Sequence, residues 1–373
     1  MRSYTSLLVR SPLFNLTRKF GGPRIFPINY TFSITNVCNS KCKTCSIWKL
    51  YLEKPELRSE ELTTQEWLGI FESLNNSPFW VTISGGEPYT RGDLVEICEA
   101  ICETNRPKIL NIPTNGLLYD RIKNWTQKIA ETCADNGVAL NVNLSLDGIG
   151  ELHSDMRGIK GNWELALKTL STLKELESKY QSLNVGIHTV ISKYNIHKLP
   201  EVAAYIVNEL SPNNYIIEVA EERSELFNVN SGITPKPDEL EHVLTEITGY
   251  LRNAPTRPKG LSKISLAFRL RYYELIPKIL ESKKQIVPCM ASFASCHVNP
   301  YGDVWPCCVL GYNKCIGNLR EYHFNFKKLW CSQQANEVRK FIKEGGCSCP
   351  LANTHYTNLL LNFKEIIKVM RNL

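Results

Sequence analysis

Between residues 29 and 220 the chain alternates short β-branched and aromatic runs with stretches whose apolar residues recur at helical spacing. That is the pattern of a parallel α/β unit. The runs predict strands over residues 30–35, 79–84, 108–112, 139–146, 185–191 and 215–219. The clearest helix follows Asn162: Trp163, Leu167, Leu170, Leu173 and Leu176 share one face, and Lys168, Lys174, Glu175 and Glu177 fall elsewhere. Thr63 with Glu66, and Asp93 with Glu96, have the spacing of capping boxes at two further helix starts. Six strands with intervening helices fit either an open doubly wound sheet or a partial barrel. In both, ligands gather at the C-terminal ends of the strands.

The flanks read differently. The segment 1–28 is basic and partly apolar and runs into Gly21-Gly22-Pro23. It predicts a short helix packed on the bottom of the main domain, with an amphipathic helix on a membrane surface as the alternative. Residues 221–285 form a bridge, broken by Ser231-Gly232, Pro235, Pro237, Pro255, Pro258 and Gly260 around one helix near 238–252. Over 286–355 long periodic patterns are few, and eight of the fourteen cysteines fall between Cys289 and Cys349. A small module of this kind depends on metal for its fold. Within it, 299–307 reads as a hairpin turning at Tyr301-Gly302-Asp303, which brings Cys289 and Cys307 together, and a helix follows around 329–344. The tail, 356–373, is again helix-like and is expected to dock on the body.

Composition narrows the class. At 373 residues, 43% hydrophobic and 22% charged, the chain is an ordinary globular protein with room for a large α/β domain and a smaller one. A net charge of +7 without a long basic run does not call for nucleic acid. No stretch approaches the roughly 18 apolar residues of a membrane span. With no export signal apparent, reduced cysteines in a cytoplasmic metalloprotein are the expectation.

The chemistry is concentrated after the first strand, in Cys38-Asn39-Ser40-Lys41-Cys42-Lys43-Thr44-Cys45. Three thiols spaced C-x3-C-x2-C can converge on one centre without closing a four-ligand set, whereas a structural zinc wants four ligands. Iron–sulfur clusters are held by Cys thiolates. The second strand runs straight into Gly85-Gly86-Glu87-Pro88, two glycines that permit close backbone approach and a carboxylate beside them.

With these two motifs at corresponding ends of adjacent strands, the chain resembles the radical S-adenosylmethionine (radical SAM) superfamily over residues 29–220. The resemblance implies a partial (β/α)6 TIM-like barrel and a [4Fe-4S] cluster on Cys38, Cys42 and Cys45, whose vacant iron binds S-adenosylmethionine. An electron from a reductant such as ferredoxin or flavodoxin would then release a 5′-deoxyadenosyl radical that abstracts a substrate hydrogen. Matched position by position, Gly85, Gly86, Glu87 and Pro88 would hold the methionine amino group, and Asn115 would line the cofactor pocket. Ser145 and Asp147 are similar to ribose-contacting positions, and Arg157 resembles an arginine used against the methionine carboxylate. Gly186 and Val190 would border the adenine. Thr44 departs from the aromatic residue common before the third cysteine, a place Ile47 or Trp48 could take. The bland alternatives are a turn role for Asn115, Ser145 and Asp147 and a surface ion pair for Arg157. Cys98, Cys102 and Cys133 read as small core residues.

The block from Cys289 through Gly302 to Cys307 resembles the opening of the SPASM and twitch domains that follow many radical SAM cores. It implies at least one auxiliary [4Fe-4S] cluster, with Cys289, Cys307, Cys347 and Cys349 as its ligands. The later cysteine run of the full SPASM pattern is absent, and Cys296, Cys308, Cys315 and Cys331 are left unassigned. Four thiolates also suit a structural zinc. The function expected is oxidative modification of a peptide, protein or natural product. The alternatives are a sugar, polyol or lipid substrate and, outside enzymes, an iron–sulfur electron carrier. Only about 28 residues precede the core, which leaves little room there for a domain that recognises a leader peptide. Glu218, Glu221 and Glu222 follow the last strand, where a solvated face is the plainer reading, and no acid–base residue is named.

Overall fold

In a computed structural model that describes residues 2–74, 76–254 and 261–373, the alternating pattern becomes a barrel-like half. After α1 (Arg2–Phe20) come β1 (Asn29–Ser33), α2 (Leu50–Glu53), α3 (Thr64–Leu74), β2 (Trp80–Ser84), α4 (Leu94–Asn105) and β3 (Ile109–Thr114). The series continues with α5 (Tyr119–Asn136), β4 (Ala139–Ser145), α6 (Glu151–Arg157), α7 (Asn162–Lys179), β5 (Leu183–Ile191), α8 (Leu199–Tyr205) and β6 (Asn214–Val219). All six strands pair in parallel with their sequence neighbours, in the order β6-β5-β4-β3-β2-β1. A doubly wound sheet reverses its strand order part-way. This one does not, so it is the open, partial (β/α)6 barrel.

Beyond it lie α9 (Pro237–Arg252), α10 (Leu261–Ser282), β7 (Ser295–Val298), β8 (Asp303–Trp305), β9 (Gly317–Asn318), α11 (Phe326–Trp330), α12 (Gln333–Lys343), α13 (Ala352–Leu360) and α14 (Phe363–Met370). β7 and β8 form the hairpin expected around Gly302, whose φ of +90° suits glycine. β7 also pairs in parallel with β1, Tyr30 opposite Cys296, so the cysteine-rich module prolongs the barrel sheet. The module therefore shares the large core rather than lacking one.

Three further expectations are corrected. The bridge holds a second long helix, α10, where one was expected; Pro255, Pro258 and Gly260 lie outside the described residues. The helix expected around 329–344 is two helices, parted where Ser332 caps α12 through Ala335 N–H. Asp93 does not cap α4 with its side chain, because Arg91 and Thr64 occupy its carboxylate. The Thr63–Glu66 box forms as expected: Thr63 N–H donates to Glu66 at 2.8 Å and Glu66 N–H to Thr63 at 3.3 Å. Around β1 the core is aromatic, with Phe32 set edge-on against Trp67 and Phe71 of α3. α1 sends Phe14 and Thr17 into the body, and Cys98, Cys102 and Cys133 are buried core residues.

Candidate cluster and cofactor site

β1 ends at Ser33 and delivers the chain to the cysteine loop. Glu61 fixes its entry, accepting from Thr35 Oγ1 at 2.9 Å, Asn36 N–H at 2.7 Å and Tyr51 OH at 2.5 Å. Lys41 N–H and Lys43 N–H donate to the carbonyls of Arg157 and Met156 in α6, and Ser46 N–H to Leu226. The loop so pinned holds Cys38, Cys42 and Cys45, all partly buried. Burial, with the negative neighbours Glu87 and Cys42, pushes the Cys38 thiol up to about 12. Burial first, then Cys42 and Glu225, does the same to Cys45. Thiols held so ionise when a metal charge takes them as thiolates. Among the described residues no three His, Cys, Asp or Glu side chains stand close enough to hold a single metal ion. A cluster whose ligands sit on separate irons asks for a wider set than one tetrahedral zinc.

The loop after β2 explains its own glycines. Gly86 N–H donates to the Thr35 carbonyl at 2.7 Å and Glu87 N–H to the Val37 carbonyl at 2.8 Å. A Cβ on Gly85 would overlap the Thr35 carbonyl oxygen, and one on Gly86 the Val37 carbonyl oxygen. The close backbone approach is made to the chain's own residues just before Cys38. Glu87 is buried and turned to the third strand, accepting from Thr114 Oγ1 at 2.9 Å, Asn115 N–H at 2.7 Å and Tyr89 N–H at 3.3 Å. Burial pushes its carboxyl up to about 7 against those donors. Pro88 follows as the first residue of a short 3-10 turn.

Asn115 does two things: Oδ1 accepts Leu117 N–H at 3.0 Å, and Nδ2 donates to Asn39 Oδ1 at 2.8 Å, inside the cysteine loop. Ser145 is half-buried at the end of β4. Asp147 is buried, paired to Arg157 Nη2 at 2.9 Å and accepting Val190 N–H at 2.8 Å. Gly186 leaves room for the Asn143 side chain, which a Cβ there would overlap. Ile47 is buried, and Trp48, partly exposed, lies under the ammonium groups of Lys41 and Lys49. Arg157 corrects the surface ion-pair alternative: it is 9% exposed, and Nη1 lies 3.7 Å from Cys42 Sγ. Its Nε is buried without a partner. A charged group so placed, beside a cysteine and with a donor unspent, fits an anionic cofactor group.

In the C-terminal module burial raises all four thiols, and beyond it Cys347 raises Cys289, Cys289 and Cys347 raise Cys307, and Cys307 and Cys289 raise Cys349. Cys289, Cys347 and Cys349 line one pocket with Val287, His355 and Asn358. The leftover thiols stand in four settings. Cys296 is buried on β7, Cys308 beside Arg223, Cys315 near the carbonyls of Val304 and Gly317, and Cys331 is exposed.

One constellation escaped the sequence reading. Arg223, in the loop after β6, donates to Cys308 Sγ at 2.7 Å and stands 3.7 Å from Glu225. Glu225 is 4.0 Å from His297, whose ring stacks on Trp305. Glu221 is 7% exposed, and burial pushes its carboxyl up to about 7. Arg223 and Glu225 act on Cys45 as well as Cys308, and Glu221 acts on Cys308 and Cys349. Buried atoms here that make no hydrogen bond are Arg223 Nε, Ser224 Oγ, Trp305 Nε1 and Glu225 Oε2, the last being the oxygen paired with Arg223. The signal was present only as three carboxylates and an arginine after the last strand.

Comparison with known proteins agrees with this arrangement. Residues 32–206 match the family model of the Radical SAM superfamily, and residues 289–350 match the SPASM model, described as an iron–sulfur cluster-binding domain. The chain is 30% identical to the Fe-coproporphyrin III synthase of Methanosarcina barkeri over 48% of its own length and 41% of the relative's. It is 25% identical to the mycofactocin maturase MftC of Mycolicibacterium smegmatis over 90% of its own length and 79% of the relative's. The fold is similar to Streptococcus suis SuiB bound to the precursor peptide SuiA, with a TM-score of 0.59, 18% identity, and coverage of 91% of this chain and 72% of that one. The chain belongs to the radical SAM superfamily, with a C-terminal SPASM domain, a family whose cofactors are S-adenosylmethionine, a [4Fe-4S] cluster and auxiliary iron–sulfur clusters.

Proposed function

We propose that the chain oxidatively modifies a peptide substrate. Cys38, Cys42 and Cys45 hold the S-adenosylmethionine-binding cluster, and Cys289, Cys307, Cys347 and Cys349 hold one auxiliary [4Fe-4S] cluster. Bound together, the first cluster and S-adenosylmethionine supply a 5′-deoxyadenosyl radical that takes a hydrogen atom from substrate. Arg157, oriented by Asp147, holds the cofactor carboxylate with its free Nε. Gly85, Gly86, Glu87 and Pro88 seat the loop that meets the amino group, and Asn115 and Ser145 border the rest of the cofactor.

The observation that carries the reading is the buried polar constellation of Glu221, Arg223, Glu225 and Cys308. The loop that carries its charged residues is bonded to the first cysteine loop, where Ser46 N–H donates to the Leu226 carbonyl and Asn228 Nδ2 to the Thr44 carbonyl, and to the C-terminal module through Arg223 and Cys308. A substrate placed there lies between the two clusters. Glu221, ionised to about half near its raised value of about 7, would in its carboxylate form take the proton lost from the substrate radical, and an auxiliary cluster, when bound, would supply the acceptor for the electron, so that substrate loses first a hydrogen atom and then a proton and an electron. The mycofactocin maturase relative, matched over most of both chains, and the peptide-bound SuiB fold support a peptide substrate. The Fe-coproporphyrin III synthase relative supports a second reading, a small-molecule substrate, but the chain spans less than half of that protein.

Anaerobically reconstituted protein with dithionite and S-adenosylmethionine is expected to form 5′-deoxyadenosine and to carry about eight irons, two clusters of four. Cys38→Ala with an otherwise intact fold should abolish the former. A short peptide encoded beside the gene should lose two hydrogens on turnover. An EPR-active cluster without 5′-deoxyadenosine would overturn the enzyme reading, and turnover of a porphyrin but of no peptide would overturn the peptide reading.

A further inference from the structure

The C-terminal helix α14 has three faces. Glu365 and Val369 are buried and hold it to the body, Glu365 through Arg271 Nε at 2.7 Å. Directly opposite, Phe363, Ile367 and Met370 are 75%, 39% and 54% exposed, at the i, i+4, i+7 positions of one helix stripe. Beside that stripe Lys364, Lys368 and Arg371 make a second row, exposed and basic. The only acidic residue from 353 to the last residue shown is Glu365, which points inward to Arg271 and Lys368. The outer surface of the helix is thus apolar and cationic, with no acidic side chain.

α1 reaches the start of α14: Asn15 Nδ2 donates to the Leu361 carbonyl at 2.8 Å. Its exposed residues Leu13, Leu16 and Phe20, at i, i+3 and i+7, lie on the side of α1 turned away from Ser11 and Asn15, so α14 presents its outer surface independently of them. Lys19 is exposed beside them, α1 contains no acidic residue, and the first acidic residue in the chain is Glu53. Large apolar side chains on one helix stripe with lysine and arginine alongside suit the boundary between lipid headgroups and acyl chains. Scattered single apolar residues would need no such explanation. No described helix is long and apolar enough to cross a membrane, so the contact would lie on the surface.

We propose that α14 docks this protein peripherally on an anionic lipid bilayer. Phe363, Ile367 and Met370 enter the headgroup boundary, and Lys364 and Arg371 face lipid phosphates, while Lys368 stays on Glu365. Charge selects this occupant over a second copy of the chain, because a two-fold contact would set the same basic row against itself. The proposal is independent of the reaction assigned above.

The full-length holoprotein, sedimented with vesicles of phosphatidylglycerol and phosphatidylcholine at low salt, is expected in the pellet. With phosphatidylcholine alone it should stay in the supernatant, and raising the salt should release it. Phe363→Glu and Ile367→Glu should each weaken binding by roughly tenfold or more, as the loss of one buried apolar side chain and a new negative charge dictate. Lys364→Glu with Arg371→Glu, which leaves the Lys368–Glu365 pair in place, should do so without touching the apolar stripe. Both sets change exposed side chains, so an unchanged thermal melt and iron content will show the fold intact. Absence of the protein from anionic pellets overturns the proposal. So does equal binding to neutral vesicles, or binding that Phe363→Glu leaves unaltered. A dimer in solution that Phe363→Glu dissolves, with no vesicle binding, overturns it in favour of self-association.

Discussion

At the scale of single residues, Arg157 and Glu221 are charged side chains whose burial demands a use. Burial works against the Arg157 charge, yet Asp147 and Cys42 outweigh it and hold the guanidinium above its ordinary range. Lysine would keep the charge and lose the planar fork. Arg157→Lys is therefore expected to retain iron and fold while binding S-adenosylmethionine about tenfold more weakly, roughly 1.4 kcal/mol, as equilibrium dialysis would read. Unchanged affinity would remove Arg157 from the cofactor site. Glu221, raised to about 7 from an ordinary 4.5, keeps its proton in the native protein between those two pH values, where the unfolded chain has lost it. Stability from this group is thus fully present below about pH 4.5, declines as pH rises through that window, and is gone above about 7. Glu221→Gln removes the titration, so the variant should match the wild type at pH 5 and exceed it at pH 8 by on the order of 2 kcal/mol, seen in thermal melts. The same variant should still make 5′-deoxyadenosine while losing product. Sequence could not single Glu221 out, because its neighbours look alike. Glu218 stays partly exposed near His188, and Glu222 accepts the N–H groups of Asn230 and Gly232. Which of the three turns inward depends on Asn228 tying this loop to Thr44, a contact 184 residues apart.

At the scale of elements, the loops hold each other by backbone contact. Gly86 meets the chain just before Cys38, and Gly158, at φ +66°, meets Lys41 between Cys38 and Cys42. Gly86→Ala would drive a methyl group into the Val37 carbonyl, which is backbone and has no rotamer to yield. The expected cost is about 1–3 kcal/mol, accompanied by reduced iron at the first cluster. Gly92→Ala, in open space, is the control and should load normally. Equal iron in both variants would show the loops to be independent. These motifs were legible because their residue types are unusual at strand ends. The strands were legible because buried parallel strands read as apolar runs. α10 was not, since Pro277 lies inside it and it buries residues as varied as Leu270, Tyr272, Tyr273, Leu275 and Ile279. A helix covered on several sides shows no single stripe. Asp93 failed as a cap for a related reason, since a guanidinium two residues away competes for the same oxygens.

At the scale of the whole molecule, the cysteine-rich module is fastened to the barrel by far more than proximity. β7 extends the sheet from β1, and Asn29 bonds Thr357. Asn36 at the entry of the first cysteine loop donates to Tyr301 OH at the hairpin turn. Trp330 reaches the Ile25 carbonyl, and Arg320 pairs with Glu66 of α3 at 2.7 Å. One hydrophobic core runs from Phe14 to Leu361. Compositional reading treated the module as a metal-dependent annex, because spacing shows its thiols and hides the strand it lends to the sheet. Contacts so distributed make barrel and module one cooperative unit. Scanning calorimetry of the holoprotein is therefore expected to show a single transition. Cys347→Ser with Cys349→Ser should lower that one transition and remove about four irons, leaving the S-adenosylmethionine-binding cluster EPR-active. Two resolved transitions, with only the first shifted by these substitutions, would mean that the module folds on its own metal after all, and that the strand pairing between β1 and β7 contributes little to its stability.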